Sequence, residues 1–227
     1  MIPLRDENPT RHLPWLTILI IAANVAVFAY ESSLAPAALE AFWTRWAIVP
    51  SRFVADPFSV QQLTTIITAM FMHAGWVHIG GNMLYLWIFG NNIEDRFGPA
   101  GFAVFYLACG AVASAAQIAA TPGSSIPNLG ASGAVAGVLG AYLLLYPGAA
   151  VITVIPVFFF IEVARVPAYL VIGFWFVLQL GNGLASLGSA MADMGGVAYF
   201  AHIGGFLAGL AIAAPVALAA RSRYRQR

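Results

Sequence analysis

What most constrains this chain is a series of apolar runs long enough to cross a bilayer. They fall at 13–30, 78–93, 102–120, 132–146, 167–184 and 197–220, punctuated by turn-forming strings such as FGPAG, TPGSSIPNLG and YPG. A hydrocarbon core of about 30 Å takes roughly 20 helical residues, and only helices or closed barrels satisfy their backbone polar groups there. The expected architecture is therefore all-α: a polytopic membrane bundle of six transmembrane helices over residues 13–220, with a short N-terminal segment at 1–12 and a basic tail at 221–227. Composition agrees, with 61% hydrophobic and 8% charged residues against about 25% charged in a soluble domain.

The same numbers exclude other classes. A net charge of +1 gives no basic field for nucleic acid. No Cys/His cluster has zinc spacing, and no glycine loop followed by Lys cradles a phosphate, so neither metal nor cofactor is expected. The lone Cys109 lies in an apolar run and reads as a packing residue. Arg5 and Arg11 precede the first run, and APA at 35–37 resembles a signal-peptidase site. That run has spanning length and is followed by more membrane segments, so it is read as the first span.

Arginines favour cytoplasmic ends. Six spans with an inside N-terminus put Arg5, Arg11, Arg96, Arg165, Arg221, Arg223, Arg225 and Arg227 inside, and leave Arg45 and Arg52 outside. Spans two, four and six then all run inward from the outer face. The stretch 147–166, interrupted by Pro156, Glu162 and Arg165, reads as a membrane-skimming connection. The outer segment 31–72 carries Leu39, Phe42, Trp43 and Trp46 at helical spacing around Glu40 and Arg45, the pattern of an interfacial amphipathic helix.

Polar groups inside a bilayer are costly and call for an explanation. His78 and Asn82 stand four residues apart on one face at the outer end of span two. Ser132 begins span four, and His202 lies a turn or two into span six from the same side. Gly133 and Gly137, with Ala136 and Gly140, form a small-residue face on span four, and Gly205 and Gly209 share a face with His202. Such faces let backbones approach closely, and a serine–histidine hydrogen bond needs that approach. Taken singly, Ser132 has a packing role, His202 a structural or proton-relay role and Asn82 a role as interhelical glue; His73 reads as a brace for the loop. Their common depth argues for a shared site.

Three strings, His73-x4-His78-x3-Asn82, Gly130-x-Ser132-Gly133-x3-Gly137 and Ala201-His202-x2-Gly205-x3-Gly209, resemble the rhomboid intramembrane serine proteases in content and order. The resemblance implies that Ser132 is the nucleophile, His202 its general base, and His78 and Asn82 oxyanion donors alongside the Ser132 N–H. It implies transmembrane proteins as substrates, a lateral gate near Trp175, Phe176 and Trp87, and a minimal bacterial form in an inner membrane. The N-terminus of span four independently offers unpaired N–H donors and partial positive charge. No Asp or Glu lies within the spans near His202, and Asp193 precedes span six. Some family members stack an aromatic on the histidine from the position one turn after the serine. That position is Ala136 here, and Tyr199 or Phe200 is the expected substitute. Gln61, Gln62 and the loop PGSSIPN are expected to keep an outer cavity wet. A catalytically silent rhomboid-like binder, a haem protein ligated by His78 and His202, and a transporter remain as alternatives.

Overall fold

The computed structural model describes residues 1–157, 160–187 and 197–225. In chain order they form β1 (Ile2–Asp6), α1 (Trp15–Ser33), α2 (Pro36–Trp46), α3 (Pro50–Ala55), α4 (Val60–Thr68), α5 (Trp76–Tyr85), α6 (Asn91–Ala120), α7 (Ser132–Leu145), β2 (Ala150–Val157), β3 (Phe160–Pro167), α8 (Ala168–Ser186) and α9 (Tyr199–Arg225). The molecule is a helical membrane bundle. Among the described residues, four helical stretches are long and apolar enough to cross a bilayer: Trp15–Ser33, Trp76–Ala120, Ala168–Ser186 and Tyr199–Ala219. The second of these covers two of the expected runs. Its helix changes direction at Gly98, whose positive φ of 71° is followed by Pro99, and proline cannot continue the hydrogen-bond ladder.

The expected fourth span, 132–146, is α7. α7 has 14 residues, and every one from Gly133 to Tyr142 is buried, so it is the central helix of the bundle. Its glycines set that position. A methyl group placed on Gly205 or Gly209 would fall on the carbonyl oxygen of Gly133 or Gly137, and one on Gly140 on that of Phe206. These contacts advance together along both chains, so α7 and α9 pack in parallel with backbones touching. On the other flank, Gly133 faces Ala113 and Gly137 faces Cys109, so α6 runs antiparallel to α7. Cys109 is a buried free thiol filling that contact.

Helix ends are satisfied across the bundle. α1 begins after Pro14 with no side-chain cap of its own. The Glu94 carboxylate instead accepts from Leu16 N–H at 2.9 Å, and from Thr17 N–H and Oγ1–H at 2.7 Å each, placing negative charge where the helix dipole favours it. The N–H of Ala201, in the first turn of α9, donates to Gln117 Oε1 of α6 at 3.2 Å.

The connection at 147–166 departs from expectation. It is a pair of antiparallel strands, β2 and β3, and β1 adds on the far side to give the order β1-β2-β3. The run VITVIPV is rich in the β-branched residues that suit a pleated surface. Pro156 is tolerated because β1 pairs only with Val151–Val154, so beyond it the outer edge of β2 needs no donor. Val151 and Val166 join the bundle core. The N-terminal segment is thereby ordered. Tyr142 O–H donates to Asp6 at 2.6 Å, Asn92 Nδ2–H to the Asn8 carbonyl at 2.9 Å, and Arg165 pairs with Glu7 at 2.6 Å.

Candidate active site

Ser132 is the first residue of α7 and follows Gly130 and Ala131, the latter already in helical backbone geometry. Gly130 has φ 129°, a conformation L side chains rarely adopt, and its N–H donates to the Ala69 carbonyl at 2.8 Å. Upstream, Ile48 and Asn128 exchange two backbone hydrogen bonds, and Ser51 N–H donates to Ser124. The segment 31–72 thus clamps the loop that delivers Ser132, a supporting role beyond that of an interfacial helix. The first backbone bond of α7 runs from Val135 to Ala131, leaving the N–H of Ser132 as an unpaired first-turn donor. The Ser132 hydroxyl makes no hydrogen bond among the described residues.

His202 sits on the neighbouring parallel helix. Gly133 abuts the carbonyl and Cβ of Ala201, so the α7–α9 contact brings residues 132 and 202 to one level, as the small-residue faces predicted. The imidazole is buried, and its Nδ1 lies 2.8 Å from Gln179 Oε1 of α8. The Trp175 ring lies 5.7 Å away, tilted by 37°. Among the described residues the ring beside His202 is Trp175, rather than the expected Tyr199 or Phe200. Trp175 and Gln179 are one turn apart and approach the imidazole together. Phe176 stacks on Phe206 of α9 at 4.2 Å, so both gate candidates on α8 turn toward α9, while Trp87 is half exposed. Asp193 lies outside the described residues.

His78 approaches from α5. Its Nε2 is 2.7 Å from where a Cβ on Gly130 would stand, and Ser132 Oγ is 3.6 Å from the same point. Glycine at 130 leaves the space into which both groups project. Ala74 N–H makes a long contact of 3.5 Å to His78 Nδ1, and the Nε2 of that ring is on the Ser132 side. Asn82 Nδ2 lies 2.9 Å from His73 Nε2, and among the described residues its amide group makes no other hydrogen bond. His73 is thus the brace of a site residue as well as of its loop. Burial, reinforced by the nearby His78 ring, pushes the His73 imidazole down to about 4, so it is neutral at ordinary pH and accepts from Asn82. Its backbone N–H donates to Glu31 Oε2 at 3.0 Å, and Glu31 Oε1 accepts from Trp43 Nε1–H at 2.9 Å.

Glu31, Gln117 and Gln179 escaped the sequence reading. Each is a polar side chain in or beside an apolar helix, and that was the available signal. In contrast, Gln61 and Gln62 line a cavity with Arg45 and Arg52 that excludes Ser132. The cavity bordered by Ser132 is lined instead by Gln117, Asn128, the apolar Ile48, Met70 and Leu129, and small residues, with only Asn128 from the loop expected to keep it wet.

These positions define a helical membrane protein with a free serine hydroxyl and a buried histidine on adjoining close-packed helices. Residues 60–218 match the family model of the Rhomboid domain, and the chain belongs to the rhomboid family. It is 27% identical over 202 residues to Rhomboid protein 1, mitochondrial, of Saccharomyces cerevisiae, covering 86% of this chain and 51% of that protein. It is 38% identical over 78 residues to Rhomboid protease GluP of Bacillus subtilis, covering 34% of this chain and 15% of that protein. Presenilin-associated rhomboid-like protein, mitochondrial, of Homo sapiens is 31% identical over 144 residues, covering 62% and 36%. The chain spans about half the length, or less, of these relatives.

Proposed function

We propose that the protein is an intramembrane serine endopeptidase that cleaves transmembrane segments of other membrane proteins through a Ser132–His202 dyad. The observation that supports this reading is the backbone contact of Gly133 with Gly205, which packs α7 and α9 together at the level of residues 132 and 202. Ser132 Oγ attacks the scissile carbonyl while His202 Nε2 accepts its proton. The oxyanion is stabilised by the Ser132 N–H, His78 Nε2–H and the free Asn82 amide hydrogen, in a setting where fixed dipoles act strongly. His202 then protonates the leaving amine, and water, activated by the same base, releases the acyl group.

The reading extends to topology: six spans, both termini in the cytoplasm of a bacterial inner membrane, and Ser132 toward the outer face. The arginine distribution supports this orientation. The alternation of α6 against α7 and α9 agrees with it.

The deciding experiment labels detergent-solubilised protein with a fluorophosphonate and follows cleavage of a model transmembrane substrate. Wild-type protein should label and cleave. Ser132→Ala should do neither, and His202→Ala should lose at least about 100-fold in both. Undiminished cleavage by Ser132→Ala would end the proposal.

A further inference from the structure

A buried general base needs more than proximity to its nucleophile. Imidazole has two nitrogens, and only a ring protonated on Nδ1 leaves the Nε2 lone pair free to take the serine proton. The roles proposed for Ser132 and His202, on which the inference rests, leave open what selects that tautomer. Among the described residues no carboxylate bonds to His202, and its one side-chain partner is Gln179.

We propose that Gln179 is a positioning residue for His202: its amide oxygen accepts the Nδ1–H, holding the ring as the tautomer with a free Nε2 and fixing its rotation. Three features of the structure converge on this role. The 2.8 Å separation from Nδ1 to Oε1 is that of a well-formed hydrogen bond. Trp175, one helical turn earlier on α8, lies against the imidazole at 5.7 Å, so ring and amide together restrict its plane. His202 itself is buried, where an unpartnered N–H is costly.

The chemistry follows. When Ser132 gives its proton to Nε2, the ring becomes an imidazolium, and the Nδ1–H bond to the Gln179 carbonyl shortens and strengthens. The amide dipole stabilises that positive charge without placing a second buried charge beside it. A carboxylate there would also hold the tautomer, but would carry its own desolvation cost in an apolar helix and would make His202 a stronger base. Because Gln179 belongs to α8 and His202 to α9, the tautomer depends on α8 staying docked against α9.

The test uses the intact protein in detergent, with ring-15N-labelled histidine. The chain has four histidines, and His202→Ala identifies the resonances of interest. Wild-type His202 should carry its proton on Nδ1. Gln179→Met, similar in volume but without the amide, should give mixed tautomers and lower kcat by on the order of 10- to 100-fold, with KM within about twofold. Gln179→Glu should keep the Nδ1 proton and move the acidic limb of the kcat/KM profile to higher pH. A proton on Nε2 in the wild type, or a Gln179→Met variant with wild-type tautomer or wild-type kcat, overturns the assignment. The tautomer is read without turnover, so it is answered even if cleavage proves independent of Ser132.

Discussion

The carbonyl oxygen of Gly133 occupies the space where a side chain on residue 205 would begin. That contact joins α7 to α9 and sets the level of the site. Backbone atoms cannot rotate away as a side chain can, so Gly205→Ala must push the helices apart. Such overpacking costs about 1–3 kcal/mol. Thermal unfolding in detergent should register the loss, along with a fall in kcat/KM. Gly80→Ala, where a methyl group meets nothing within 4 Å, should leave stability equal or slightly raised. Equal behaviour of the two variants would refute the close-packing argument.

Gly130→Ala combines two insults, a disfavoured positive φ and a Cβ directed at His78 Nε2. It should lower kcat by on the order of 100-fold, comparable with removal of an oxyanion donor by Asn82→Ala. Measured kcat for both variants, beside a fold check by circular dichroism, decides whether His78 and Ser132 converge there.

Glu94 should matter for stability and not directly for chemistry. Glu94→Ala leaves two N–H groups and a hydroxyl at the start of α1 without their acceptor, a loss on the order of 2–4 kcal/mol. Unfolding titrations should show that loss, while kcat of the fraction that remains folded stays near wild type. A large drop in kcat at unchanged stability contradicts this division of labour.

Acidification should destabilise the fold through His73. Its folded value near 4 lies below the ordinary 6.5, so between those values the unfolded chain binds the extra proton. Stability is therefore fully present above pH 6.5 and declines as pH falls toward 4, by up to about 3 kcal/mol. His73→Gln should flatten that part of the stability profile. An unchanged slope in the variant means the dependence has another source.

Much of this was visible along the chain. Apolar runs disclosed a helical membrane bundle because bilayer thickness sets a length scale that composition must meet. The serine, the histidines and the paired small residues stood out because polar and glycine positions in oily helices need a reason. The strand pair β2–β3 is hidden in the sequence because Pro156, Glu162 and Arg165 interrupt the β-branched run, and its third strand, Ile2–Asp6, lies far away along the chain.

Local polarity and spacing along the chain were enough to show a helical membrane protein and to single out the polar positions within its apolar helices. Only the tertiary structure decided that Glu94 caps α1, that His73 holds Asn82 and that Gln179 with Trp175 attends His202. Each of these pairs residues whose partnership has no local periodic signature. A hydrogen bond depends on distance and direction in space, and those are set only when the helices have packed.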